Sequence, residues 1–329
     1  MHGFEDGRPA QAGQKTAHAD HVYASLVGNA AASSPVVASW RRCMVLHHLA
    51  PEETRLPERL TDIQFHHARQ ASGHLIAEAT DELDRLFSLV GRSGCCLLLT
   101  DRHGVALERR GSAGDDNAFH DLGLWTSTIW TEESVGTNGI GTALADRRAV
   151  SIFRDQHFLS ANTRLSCTTA PIRDHLGELA AALDISTCRE DVGEAVLSIL
   201  AQTVRDAAMR IELNLFRAAF PGSRFVVVPG AGHGAAALIA VDRNDMVIGA
   251  TKAARLALSL DDAALRAGLP AADALNEGRE DADRDLAAAE RAALMRVLSR
   301  TSGNVSQAAR TLGISRATLH RKMKRFGLR

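Results

Sequence analysis

The sequence predicts an α+β fold that ends in a separate all-α unit, and three observations carry that expectation. Short apolar runs recur on either side of Asp-containing turns, as in CCLLLT, DRHG and VALE from Cys95 to Glu108, and in LSCTTAPI, RDHLG and ELAAALDIS from Leu165 to Ser186. Such alternation reads as strand, tight turn, strand. From Asp191 to Phe216 the apolar residues Val192, Val196, Ile199, Val204, Ile211 and Leu215 fall at helical or heptad-like intervals. No Gly or Pro interrupts the chain between Glu194 and Phe220, which predicts one long helix. From Arg310 onward seven side chains are Lys or Arg and none is Asp or Glu, although the whole chain is formally −1.

Length and composition bound the rest. At 329 residues, with 45% hydrophobic and 23% charged residues, the chain suits several folded modules joined by linkers. No apolar run approaches the ~18 residues of a membrane span, and the polar N-terminus lacks a secretory signal, so a cytoplasmic location without membrane attachment is expected. Cys43, Cys95, Cys96, Cys167 and Cys188 show no Cys-x-x-Cys spacing, which suits free thiols and argues against a structural metal. The four lysines, Lys15, Lys252, Lys322 and Lys324, never follow Gly, so the phosphate-cradling GxxxxGK[ST] loop is excluded.

Taken in order, residues 1–35 read as a disordered tail, and Ser39 to Val90 as helical, with Leu60, Ile63 and Phe65 interleaved among polar residues. The two hairpins then predict one antiparallel sheet with helices on one face. This entry, the sheet and the long helix occupy 36–218; the helix either packs on its own domain or forms a dimer seam. Over 219–260, AALIAVDRNDMVIGATKAAR again reads strand, turn, strand, helix. Residues 261–285 hold eight acids against three bases and read as a solvated linker before 286–329.

In that last unit Leu286, Leu294, Val297 and Leu298 mark one helix face, broken at Ser302-Gly303. Asn304 with Gln307 is a relative of the capping box and starts a second helix with Ala308, Ala309 and Leu312 inward. Gly313 suits a left-handed stop, and Ser315 caps a third helix. There Leu319, Met323 and Phe326 share one face, and Arg316, His320 and Lys324 another, with Arg321, Lys322 and Arg325 beside it. Two short helices across a Gly-containing turn make a helix-turn-helix, and an α-helix fits the major groove of double-stranded DNA.

The segment AARTLGISRATLHRKMKRFG resembles the C-terminal domain of the Fis family. That resemblance implies DNA contacts by Arg316, Thr318, His320, Arg321 and Lys322, with Asn304 and Ser306 at a flanking phosphate. It further implies dimers on an inverted-repeat operator. His320 departs from the commoner Arg or Lys.

A second specific stretch is WTEESVGTNGIGTAL, Trp130 to Leu144. Its glycines let backbone pass close to a neighbour, and GIGTALA opens a helix. With QHF at Gln156, CTTAPI at Cys167, LDIS at Leu183 and SWRRC at Ser39, it resembles the GAF sensor domain of acetoin-operon-type (AcoR-like) activators. AVDRNDMVIGATKAAR is similar to their short PAS-like segment. The resemblance implies a small-molecule effector pocket, for which Trp125, Trp130, Glu132, Asn138, His157 and Cys167 are candidate lining residues. Each also has a structural reading: Trp130 as core, Glu132 as a cap, His157 as a satisfied polar group, Cys167 as a small buried hydrophobe. No cofactor is expected, because aromatic residues are 4% of the chain.

Full-length members of that family insert an AAA+ ATPase that engages sigma-54 where this chain has its acidic segment. The function expected is a homodimeric, DNA-binding transcription regulator that senses a small molecule or partner and does not hydrolyse ATP. A sensor or adaptor acting through a full-length activator paralogue is the second reading. An enzyme using Cys95, Cys96 or Cys167 is disfavoured, because no His/Asp constellation of defined spacing accompanies them.

Overall fold

The computed structural model describes residues 8–27, 34–229, 237–275 and 285–328. The chain forms two compact units, one running to Ala240 and including Gly249–Leu260, the other comprising Val241–Ile248 and the chain from Asp261.

In the first unit the entry is helical: α1 (Arg8–Val27), α2 (Pro35–Val45), α3 (Asp62–Ala71) and α4 (Gly73–Val90). Ser34 caps α2 with Pro35 in its first turn, where a missing N–H costs nothing. Thr61 and Gln64 form a reciprocal capping box on α3. The disordered tail expected over 1–35 is corrected by α1: Ala19 and Val22 are buried, Leu26 packs against the same cluster, and the His18 ring reaches Ser160 Oγ and Asp155 O, both at 3.0 Å. The apolar stripe is thin, so composition alone hides it. Residues 1–7 and 28–33 lie outside the described residues.

The sheet follows with β1 (Cys95–Asp101) and β2 (Ala106–Arg110). Next come α5 (Asp116–Asp121), α6 (Glu132–Val135) and α7 (Gly139–Asp146), then β3 (Val150–Phe153), β4 (Ser166–Arg173) and β5 (Leu179–Thr187). Strand order is β2-β1-β5-β4-β3, with antiparallel neighbours throughout. Both predicted hairpins form, each by the same device. Asp101 Oδ1 accepts from the His103 and Val105 amides at 2.8 and 3.0 Å, and Asp174 Oδ1 accepts from Leu176 and Glu178 at 2.9 and 3.0 Å. Gly104 and Gly177 close these turns at φ +78° and +84°.

Helices on one face only was the expectation; both faces are covered. Cys95, Leu97 and Leu99 enter a core with Leu83, Leu86, Val204 and Ile211 from α4 and α8 (Glu194–Ala219). Cys96 and Leu98 enter a second core with Trp40, Phe119, Trp130, Ile140 and Phe158. Continuous burial along β1 is the mark of a strand covered on both sides. The 26-residue α8 packs its apolar stripe on its own domain, leaving Val196 and Ile199 exposed at 43% and 66%.

Beyond α8 lie β6 (Arg224–Val227), β7 (Leu238–Val241), β8 (Met246–Ala250) and α9 (Lys252–Ala257). The β7–β8 turn repeats the Asp device: Asp242 Oδ1 accepts from Asn244 and Met246, with Asp245 at φ +62° where the others have Gly. The solvated linker expected over 261–285 is corrected up to residue 275, since α10 (Asp262–Ala267), β9 (Leu269–Pro270) and α11 (Ala271–Ala274) are folded there. β9 pairs with β8 and completes the sheet β6-β7-β8-β9. Residues 276–284 lie outside the described residues. The second unit ends in α12 (Asp285–Arg300), α13 (Val305–Thr311) and α14 (Arg316–Arg325).

Candidate nucleic-acid interface and sensor core

The three C-terminal helices close on Leu294, Ala308, Ala309 and Leu319, all buried, with Val297, Leu312, Met323 and Phe326 around them. Alanines at the α13 crossing let the backbones approach closely. Ser302 and Gly303 turn the chain out of α12 at φ +51° and +78°, and Gly313 stops α13 at φ +65°. Asn304 accepts from the Gln307 amide at 3.1 Å and Ser315 from the Thr318 amide at 3.1 Å, so both expected caps are made.

This core leaves Arg316, His320, Arg321, Lys324 and Arg325 exposed, while Thr318 and Lys322 are half-buried. Asn304 is exposed and Ser306 half-buried at the start of α13. The Thr318 hydroxyl shares a hydrogen bond of 2.9 Å with the capping Ser315 hydroxyl. The Lys322 ammonium is ion-paired with Glu290 of α12, and Arg325 lies 3.9 Å from the same carboxylate. Glu290 escaped the sequence reading. Its signal was an acid on the face of α12 that also carries Leu294, four residues on.

In the first unit each of the six candidate lining residues has a structural partner, and only His157 and Cys167 partner each other. Glu132 is buried; both its oxygens accept from the Arg42 guanidinium at 2.8 Å, and Oε1 also accepts from Ser39 Oγ at 2.5 Å. Two separate motifs, SWRRC and WTEES, therefore meet in one clamp. Asn138 caps α7, accepting from Gly141 N and donating to Gly136 O, both at 2.8 Å. Trp130 is core, with Nε1 donating to Thr128 Oγ1 at 3.0 Å. Trp125 stands apart, its ring under the Arg109 guanidinium at 4.1 Å. A Cβ on Gly139 would lie 2.4 Å from Thr169 Oγ1 and 2.8 Å from Asp184, so the start of α7 is pressed onto the sheet.

The fold also makes a pairing that the sequence spacing hides. His157 Nε2 lies 3.4 Å from Cys167 Sγ, and Ser186 Oγ lies 3.1 Å from Cys167 Sγ while donating to Asp184 at 2.5 Å. No His/Asp constellation of defined sequence spacing accompanies the cysteines, yet in space His157 stands beside Cys167. Burial nevertheless lowers the His157 pKa to about 4 and holds the Cys167 thiol well above its ordinary range. Both stay neutral at pH 7, and a neutral thiol is a poor nucleophile. The Nδ1 atom of His157 lies 2.9 Å from Arg154 O, the bond that orients the ring. Burial also pushes Asp184 up to about 6.

Three cavities of this unit, beside α8, beside the β1–β2 turn and beside α6, contain none of the six candidate lining residues. Among the described residues no group of three or more His, Cys, Asp or Glu is placed to hold a metal, and no helix is long and apolar enough to cross a membrane.

Comparison with known proteins gives two family matches: "MimR, N-terminal domain" over residues 10–212, and "Bacterial regulatory protein, Fis family" over residues 285–326. The acetoin catabolism regulatory protein of Cupriavidus necator is 33% identical over 181 residues, 55% of this chain and 27% of that protein. The propane 2-monooxygenase operon transcriptional activator MimR of Mycolicibacterium smegmatis is 30% identical over 177 residues, 53% of this chain and 28% of that one. The chain thus spans about a quarter of the length of these relatives. Among solved structures, the E. coli DhaR(N)-DhaL complex aligns with a TM-score of 0.50 and 19% identity, covering 70% of this chain and 78% of that chain. This last likeness concerns the fold alone.

Proposed function

The chain belongs to the family of the MimR N-terminal domain and ends in a Fis-type helix-turn-helix; from that premise we infer that it is a DNA-binding transcription regulator whose GAF-type unit senses a small molecule. The observation that carries the reading is the exposed cationic row Arg316, Arg321, Lys324 and Arg325 on α14, held outward by a buried core. Arg316, at the helix start, is the residue to reach a base edge, with Thr318 and His320 beside it. Lys322, Lys324 and Arg321 serve phosphates, and Asn304 and Ser306 flank them. Two copies read an inverted repeat. Without a Gly-Lys dipeptide in the chain, regulation proceeds through occupancy or ordinary polymerase contacts, not ATP-driven remodelling.

The test is selection of DNA fragments by the purified protein, followed by titration at several salt concentrations. Arg316→Ala should relax preference at one base-pair position, costing about 1–3 kcal/mol there, while Lys324→Ala should weaken binding to all sequences and reduce the salt slope by about 1. Equal effects of both variants on selected and random DNA would remove the assigned face. Binding that ignores salt would favour the adaptor reading instead.

A further inference from the structure

The cavity beside α8 has a volume of about 190 Å³ and lies on the face of the sheet opposite the Glu132 clamp. Its walls come from the ends of β3 and β4, from α8, and from Thr251 to Ala253 at the start of α9. Four of its lining residues are alanines, Ala149, Ala170, Ala208 and Ala253. They arrive from four separate segments, and their small side chains leave the space unfilled. By the ~30 Å³ share of a liquid water, that space holds roughly six waters, enough for a small organic molecule.

Three cations face this space: Arg173, Arg205 and Lys252. Among the described residues none of the three is ion-paired. Arg173 donates to two backbone carbonyls, Arg147 O at 2.8 Å and Gly177 O at 3.4 Å, which fixes its guanidinium without neutralising it. Arg205 donates only to the neutral Gln202 amide oxygen, at 3.2 Å. Desolvation and the neighbouring Arg173 charge lower the Lys252 pKa by more than the nearby Glu212 and Glu178 raise it.

The acids nearby act on these cations at a distance, and among the described residues none forms an ion pair with them. Asp174 is engaged by the Leu176 and Glu178 amides in its turn. Glu212 accepts from the Arg173 backbone N–H at 2.7 Å and is pushed by burial up to about 7, so near neutral pH it carries a proton for part of the time. In its protonated form this carboxyl can donate to an oxygen of a bound anion, whereas its ionised form would repel one. Apart from Thr251 the remaining wall, including Met209, Leu213 and Phe216, is apolar.

We propose that this cavity is a binding site for a small monocarboxylate with a short apolar tail, its head between Arg173 and Lys252 and its tail against the alanines and Phe216. As an effector site it rests on the sensor reading given above; as a binding site it stands without it.

The test is calorimetric titration of the full chain with butyrate, with butanol as the uncharged counterpart and inorganic phosphate as the anion without a tail. Butyrate should bind with a Kd on the order of 1 mM and butanol at least about tenfold more weakly, since hydrogen bonds to charged groups carry that much. Lys252→Met should weaken butyrate about tenfold, and Ala253→Leu, which fills the space from a half-buried position, should abolish binding. Circular dichroism melts check that both variants fold, and two independent substitutions guard against loss of either one. Equal binding of butyrate and butanol, tighter binding of phosphate, no binding of butyrate at millimolar concentration, or unchanged butyrate affinity in both variants would overturn the proposal. If butyrate binds as expected but leaves DNA affinity unchanged, the site holds and only its role as effector site falls.

Discussion

Asp184 offers the sharpest physical test of the core beneath the central sheet. It sits at the centre of β5, 1% exposed, with Thr169 Oγ1 and Ser186 Oγ each donating to its carboxylate at 2.5 Å and, among the described residues, no cation in reach. Burial outweighs those two hydrogen bonds and raises the group from 3.8 to about 6, which corresponds to about 3 kcal/mol. Because the folded protein holds this proton to higher pH than the unfolded chain, the stability it contributes is fully present below 3.8 and is lost as pH rises through about 6. Asp184→Asn removes the titration while keeping an oxygen acceptor for one hydroxyl, and the other hydroxyl can turn to accept from the amide. In urea unfolding from pH 4 to pH 8, the variant should gain on the wild type by about 2.5 kcal/mol across that range. Glu212, also raised, titrates in both proteins and cancels in the difference. A difference between the two proteins that stays flat from pH 4 to pH 8 would refute the assignment of an unpaired buried carboxylate.

Three further outcomes follow from other contacts. Glu290→Gln frees Lys322 and Arg325 from their shared carboxylate, so DNA affinity should rise and the salt dependence steepen by about one phosphate contact in a filter-binding titration. Gly139→Ala places a methyl against Thr169, Asp184 and Cys167, so the melting temperature should fall by the equivalent of about 1–3 kcal/mol, while Gly193→Ala, with nothing near its Cβ, provides the control. Of the five thiols only Cys188 is not fully buried, so a thiol reagent should label one cysteine first by mass spectrometry and reach the other four on unfolding.

The parts of this fold that sequence made legible are those whose causes are local. The Asp101, Asp174 and Asp242 turns, the Asn304 and Ser315 caps and the unbroken α8 each depend on residues within a few positions of one another. What stayed hidden depends on distant segments. The Cys167–His157 approach crosses two elements, the Arg42–Glu132 clamp joins residues 90 apart, and the cavity beside α8 is made by alanines that are bland one at a time. Segment 261–275 was misread because acidic composition reports solvation, whereas pairing of Leu269 and Pro270 with β8 is a tertiary event. The helix α1 failed for the same reason, since its order comes from burial of Val22 and from His18 bonded 142 residues away.

Energetics constrain how the proposed sensing could be linked to DNA binding. A ligand shifts an equilibrium between two arrangements only by its difference in affinity for them. At a hundredfold excess over its Kd, a ligand that ignores one arrangement contributes about 2.7 kcal/mol, about a factor of 100, whereas a swing from 1:99 to 99:1 requires about 5.5 kcal/mol. A small molecule held at millimolar strength in the cavity beside α8 therefore acts as an effector only if the two arrangements are nearly balanced beforehand. The position of the cavity suits such a trigger: Glu212, Leu213 and Phe216 belong to α8, and Phe216 also packs on Leu238 and Ala240 of β7. If the proposed ligand binds there, its contacts fall directly on the long helix and, through Phe216, on the strand that follows it, with no relay through the Glu132 clamp on the far side of the sheet.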